Sequence, residues 1–334
     1  LDKYHNLKKR LGGKIPTLID FVRFQEVKPE LFLRYAKTWA QFKALNGVEP
    51  SFTLEMDDLH LKSLRFLSEY LARGIRIHET FLLSSLIEGS KDKDEILSSW
   101  NEMYGFIPSE ESVKSALRVL QNSYTQPKDR ASFGNISYIE EEGGVFSITS
   151  AFHELLQNSQ YRSEVIELLE LSAMNYTLRF AEKREEYDFV RYEKYDRKEV
   201  SRLLGWERDE YNTIFGYKVD YVKKKFPIFE TYHKHESIDS SIAYDDQFID
   251  AEHFAWQSRT NVQIDSKEMI GIRNPAMKKL LFIKKSDDEG SAHYYLGHME
   301  YIKNEQSTRK NDKGAVLPVV NVQFRLRDSV PENL

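Results

Sequence analysis

The sequence predicts an α+β protein, with an all-helical first half and a strand-rich second half. Three observations carry this. Apolar residues recur every three or four positions through the first half. From about Trp206 they alternate or form short β-branched and aromatic runs. Turn-forming clusters rather than long helices separate those runs.

The elements follow in order. After PTLIDF, Pro29 stands at a first helical position. Phe32, Tyr35, Ala36, Trp39 and Phe42 then share one face, which predicts a single helix. Leu59 to Leu71 repeats the pattern, and Gly74 offers a stop. IHETFLLSSLIEG and KDEILSSWNEMYG give two more helices. SEESVKSALRVLQN is capped by Ser109. NISYIEEEGGVFSIT reads as a hairpin turning at Gly143-Gly144, and SAFHELLQN returns to helix. This order predicts a winged-helix-like part over about 109–158. Its IEEEGG tip is acidic, so a packing role is expected there rather than phosphate contact.

A long amphipathic helix, SEVIELLELSAMNYTLRFAEKREEY, closes a first domain taken as 1–188. The second domain, 189–334, opens on a short helix ending near Trp206. GYKVDYV, FPIFETYHK, HFAWQSR, KKLLFIKKS, HYYLGHMEYI and VLPVVNVQFRLR then read as strands, separated by turns such as SDDEGS and KNDKG. Short strands without long helices predict an antiparallel β-barrel or sandwich.

Composition narrows the function classes. At 334 residues the chain can bury two cores, and 40% hydrophobic with 30% charged residues is ordinary for a globular protein. There is no cysteine, which excludes disulfides and thiolate metal sites. No apolar run approaches the ~18 residues of a membrane span, and no secretory signal opens the chain. The start at Leu1, directly on a helix-like stretch, is expected of a segment of a larger polypeptide. A net charge of −5 argues against a strongly basic, nonspecific nucleic-acid binder. The acid is uneven, however. From Val190 onward 24 Lys and Arg balance 24 Asp and Glu.

Catalytic motifs are scarce. GxxxxGK[ST], GxGxxG and HExxH are absent. His60-x-Lys62 begins like a phospholipase-D-type nuclease motif, but Leu67 stands where that motif needs Asp. His233 and His235 flank Lys234, a poor metal site beside a cation. Asp265-x-Lys267, with Asp250 or Glu252 upstream, fits the tail of a two-metal nuclease motif, and IDSKE equally fits a turn. Asp245-Asp246 reads as a turn, a metal pair or an acceptor for a base amine. No nucleophile or acid–base pair can be assembled, so this segment is expected to be non-enzymatic and to hold no metal or cofactor of its own. What remains is a set suited to recognition: Tyr217, Lys218, Tyr232, His233, Lys234, Tyr244, Asp245, Phe254, Trp256, Gln257, Ser258 and Arg259. It offers ring faces for stacking, a carboxylate for a base edge and cations for phosphate.

The second half also carries an ordered motif series: RLLGW (202–206), FGYKVD (215–220), PIFETYHK (227–234), FAWQSR (254–259), LLFIKKS (280–286), HYYLG (293–297) and the closing FRL…VP (324–331). This resembles a domain of unknown function attached to the C-terminus of superfamily 2 helicase-like proteins. LKKRLGGKIPTLIDF (7–21) looks like the helical segment that links helicase to that domain. The best-understood members are SauUSI-type, ATP-dependent type IV restriction endonucleases, which cut DNA containing 5-methyl- or 5-hydroxymethylcytosine. The resemblance implies a helical coupler followed by a target-recognition domain of SRA/PUA-like barrel type. It also implies upstream helicase and nuclease domains that use ATP and Mg²⁺, double-stranded DNA with modified cytosine as partner, and a bacterial cytoplasmic setting in phage defence.

The resemblance supplies no residue map, so the pocket is assigned from residue chemistry. Reading a 5-substituted cytosine in a duplex generally means flipping it out, at a few kcal/mol. Trp256 with Tyr232 or Tyr244 is expected to sandwich the base. Asp245 would accept from its N4 amine, and Phe254 and Ser258 would border the 5-substituent. Lys218, Lys234, Arg259 and Arg273 would grip flanking phosphates. The alternative is a protein-interaction or autoregulatory appendage of a helicase, with Trp256 and Phe254 as core.

Overall fold

Short polar residues start the helices of the first half. Thr17, Thr38, Asp57, Asp92, Ser109, Thr149 and Asn158 each accept a first-turn N–H through the side chain. Each such cap is worth about 1 kcal/mol. A computed structural model describes residues 1–49, 52–181, 189–233, 247–311 and 313–331. Contacts divide the chain into two units, Leu1–Glu182 with Gly205–Asp209 and Lys183–Leu204 with Glu210–Leu334.

The first unit runs α1 (Asp2–Arg10), α2 (Leu18–Arg23), α3 (Glu30–Ala36), α4 (Trp39–Leu45), α5 (Asp58–Tyr70), α6 (His78–Ile87), β1 (Lys91–Asp92), α7 (Lys93–Tyr104), α8 (Glu110–Leu120), α9 (Pro127–Arg130), β2 (Ile139–Glu142), β3 (Val145–Ile148), α10 (Ser150–Leu155) and α11 (Ser159–Asn175). The single helix expected across Pro29–Phe42 is two. Lys37 takes φ 71° and ends α3, and Thr38 caps α4. The apolar periodicity survives the break, because Phe32 and Trp39 still meet at 5.3 Å and Trp39 stacks on Phe42 at 5.2 Å.

The hairpin expected at Gly143-Gly144 forms, and a short strand ahead of it joins its sheet. β1 pairs antiparallel with β3, and β3 with β2, so β1 and the β2–β3 hairpin form one small three-stranded sheet in the order β1-β3-β2. A strand of two residues has no period to read, which hid it. The carboxylates of Glu110 and Glu111 on α8 and of Glu140 to Glu142 on the hairpin are exposed. Gly74 precedes α6 at φ 63°. A Cβ there would lie 2.2 Å from the Ser172 carbonyl oxygen, so only glycine lets the backbone approach α11 this closely.

The second unit runs β4 (Lys194–Tyr195), α12 (Arg197–Leu203), β5 (Lys225–His233), β6 (Gln247–Phe248), β7 (His253–Gln257), α13 (Lys267–Arg273), β8 (Lys278–Ser286), β9 (His293–Lys310) and β10 (Val316–Leu326). The strands form one sheet in the order β5-β8-β9-β10-β7-β6, with β4 also on β9. Two expectations are corrected. The sheet is mixed, because β5 and β8 pair in parallel, and it does not close into a barrel among the described residues. The chain between His233 and Lys278 is long enough for the crossover a parallel pair requires. That connection holds α13, capped by the Ser266 hydroxyl, where IDSKE had read as a turn.

One face of the sheet buries Tyr217, Phe226, Trp256, Leu281, Val322 and Phe324 together with Met269 and Ile272 of α13. Toward β5 and β8 the opposite face carries a second aromatic group, in which Phe229 stacks on Phe282 at 4.8 Å and Arg197 of α12 lies 5.6 Å over Phe229. Toward β7 and β10 that opposite face is polar.

Candidate nucleic-acid interface

Side chains along a strand alternate between faces, so β7 (HFAWQ) serves two environments. Phe254 and Trp256 face the core, and both are 1% exposed. The indole of Trp256 meets Tyr217 edge-on at 4.9 Å, Phe226 at 5.7 Å and Phe324 at 6.1 Å. This corrects their assignment to a base pocket: no stacking face of either ring is open. Ser258 is also buried. Its hydroxyl accepts the Val320 N–H at 2.9 Å and donates to the Arg259 carbonyl at 3.0 Å. It therefore extends the β7–β10 ladder past the end of β7 and does not border a ligand.

Two of the expected phosphate grips, Arg259 and Lys218, are paired with carboxylates. Arg259 donates to Glu268 at 2.7 Å, while the Tyr217 hydroxyl donates to the other oxygen of the same carboxylate. Burial, then that hydrogen bond, push the Tyr217 hydroxyl pKa far up. Lys218 donates to Glu210 at 2.6 Å and to Thr213 at 3.0 Å. Arg273 ends α13, half-buried. Tyr232 lies in β5, whereas Lys234, His235, Tyr244 and Asp245 lie outside the described residues. Asp250, named for the nuclease alternative, caps a turn. It accepts the N–H groups of Glu252 and His253 at 2.8 Å and also pairs with the His253 ring, contacts that hold its carboxyl below the usual range.

The other side of β7 offers what the Trp256 side does not. Register places Ala255 opposite Gln323 of β10, and Gln323 opposite Lys303 of β9. The next row on the same face is Gln257, Asn321 and Glu305. Cross-strand partners share a face, so these two rows line one surface. All of them but Gln257 line a recess of about 510 Å³, open to solvent and also bordered by Ile249 and Asn304. That volume lies within the ~300–1,000 Å³ of small-ligand sites. Ala255, the smallest side chain in either row, leaves the floor clear.

Asn321 and Gln323 put carboxamides into the recess, and Gln257 braces the first. Gln257 Nε2 donates to Asn321 Oδ1 at 2.9 Å, which fixes the orientation of both amides. Gln323 makes no side-chain hydrogen bond among the described residues. An amide presents donor and acceptor side by side, the pattern that matches a base edge bidentately. Lys303 adds a cation at the rim, and β9 continues to Arg309 and Lys310. Gln257 was in the recognition set read from the sequence. Lys303, Asn321 and Gln323 were missed, although the alternation of VVNVQFRLR already set Asn321 and Gln323 on one face.

Residues 189–334 match the family described as Domain of unknown function (DUF3427), and residues 1–179 match the family described as Domain of unknown function (DUF8090). No curated protein matches the chain in sequence. Among solved structures the chain is similar to the "Sulfur binding domain and SRA domain of ScoMcrA complexed with phosphorothioated DNA". The two are 10% identical, with 78% of this chain and 88% of that one covered, at a TM-score of 0.30. Likeness at that level fixes neither fold nor function. The match over residues 1–179 takes in more than half of the 334 residues, and on that ground the chain belongs to the family Domain of unknown function (DUF8090).

Proposed function

We propose that the second unit recognises duplex DNA carrying 5-methyl- or 5-hydroxymethylcytosine, as the target-recognition part of an ATP-dependent type IV restriction enzyme. The observation that carries the DNA reading is the recess lined by Asn321 and Gln323 beside Ala255, with Lys303 at its rim. A cytosine brought into it would give its N4 amine to an amide oxygen and take an amide N–H at its ring acceptors. Lys303 and the basic end of β9 would hold the backbone. The preference for a 5-substituted base and the coupling to upstream ATPase and nuclease domains rest on the resemblance of the motif series. In this reading the segment itself is a recognition element without a catalytic group.

Fluorescence anisotropy with duplexes that differ only at cytosine C5 tests this. The chain should bind the modified duplex more tightly, and Ala255→Leu, which fills the recess, should abolish the preference without unfolding the protein. Equal affinity for modified and unmodified duplexes would overturn the modified-base reading. No affinity for any duplex would overturn DNA recognition altogether.

A second reading has one observation in its favour. The exposed carboxylates of α8 and the β2–β3 hairpin make the winged-helix-like unit unfit to face phosphate. That unit is better suited to contact another protein domain, such as the ATPase it would couple to.

A further inference from the structure

The turn between Asp220 and Lys225 exposes apolar side chains on a rigid support. Asp220 and Lys225 exchange both backbone hydrogen bonds, at 2.8 and 3.1 Å. The Asp220 carboxylate also accepts the N–H groups of Val222 and Lys223 at 3.0 and 2.9 Å. Val222 at the tip is nevertheless 88% exposed and Tyr221 41%. The Tyr221 ring lies on α13, where a Cβ on Gly271 would be 3.0 Å from it, and the ammonium of Lys267 sits 4.5 Å over it. Lys223 and Lys224 follow on the same turn. Ordering this tip therefore costs little on binding, because the structure already holds it.

We propose that Tyr221–Val222 is a wedge that enters DNA and unstacks a base step while Lys224 and Lys267 engage the flanking phosphates. An apolar side chain between cations is the arrangement used by proteins that kink duplexes. The cations select a polyanion over an apolar protein surface. Two apolar residues are too few for an interfacial membrane anchor, which needs a whole apolar helix face. The proposal rests on the DNA reading above but uses residues separate from the recess.

The test uses the full chain and a duplex containing 2-aminopurine, whose fluorescence rises on unstacking. Wild-type protein should raise the signal severalfold. Val222→Asp should remove the rise and weaken binding about tenfold, and Val222→Ala should fall between, with unchanged melting because the site is exposed. Lys224→Ala and Lys267→Ala should each lower the slope of log affinity against log salt by about 1. Wild-type signal and affinity in Val222→Asp, with the recess variant Ala255→Leu still impaired, would overturn the wedge and leave the DNA reading standing. A wild-type chain that binds no duplex would overturn both. Binding to phosphatidylserine vesicles that depends on Val222, without base unstacking, would also overturn the wedge.

Discussion

In the first unit, three sets of buried polar groups close on one another. Arg76 is 4% exposed and donates through Nε to both oxygens of Glu79, at 3.0 and 3.1 Å, and through Nη1 to Ser115 at 2.9 Å. Ser63 joins the hydroxyls of Tyr138 and Tyr161 at 2.9 and 2.6 Å. Glu164 takes the Lys43 ammonium and the Ala40 N–H, both at 2.9 Å. In the second unit, Gln257 braces Asn321 through an amide bond, while Asn321, Gln323 and Lys303 border an open recess. Polar groups of the first kind hold the fold. Those of the second kind retain hydrogen-bonding capacity for a ligand, and the difference can be measured as stability against binding.

The largest effects should come from opening a closed network or emptying a core. Glu79→Ala leaves the Arg76 guanidinium buried without its carboxylate and should cost about 3–5 kcal/mol in urea unfolding. Trp256→Ala should cost a similar ~3–5 kcal/mol through the cavity it leaves. A folded Trp256→Ala protein of wild-type stability that loses only its preference for modified DNA would break the comparison by making Trp256 a ligand contact.

Next comes a titration in the first unit. Burial first, then the nearby Glu164 and Glu170 charges, raise the Glu167 carboxyl to about 7, against the opposing Leu18 N–H bond. Between the ordinary carboxylate range and pH 7 the folded chain keeps a proton that the unfolded chain has released. Stability should therefore fall as pH rises through that window. Glu167→Gln should remove the fall and stabilise the protein at pH 8 by up to about 3 kcal/mol. An unchanged stability profile in Glu167→Gln would show that the group is not isolated from solvent.

The smallest effect on folding should accompany a clear effect on binding. Gln323→Ala should leave the melting temperature within a degree or two and weaken DNA binding by about 1–3 kcal/mol. Loss of stability without loss of affinity would move the recess into the first class.

Most helices were legible in the sequence because caps and three-to-four spacing are local; Ser109 acts within three residues of itself. Most strands of the second half were legible for the same reason, as was the alternation of HFAWQ, but GYKVDYV makes only isolated bridges and a turn. The break at Lys37 was not, since a left-handed residue before a capping threonine leaves the apolar spacing intact. The two-residue β1 carries no period, and the parallel β5–β8 pair depends on a partner about 50 residues away.

The site divided in the same way. The sequence by itself determined that β7 has one face with Phe254 and Trp256 and another with Ala255 and Gln257, because a strand alternates with period two. It could not say which face meets the core, since either set is compatible with a ladder. Only the tertiary structure decided this, by seating Tyr217, Phe226 and Phe324 around the indole and by aligning Asn321, Gln323 and Lys303 across three strands beside Ala255. The physical reason is that the aromatic face gains more by leaving water than the polar face does. The ring that first suggested a binding pocket is therefore the one the fold buries, and its small neighbour Ala255 is left facing the recess.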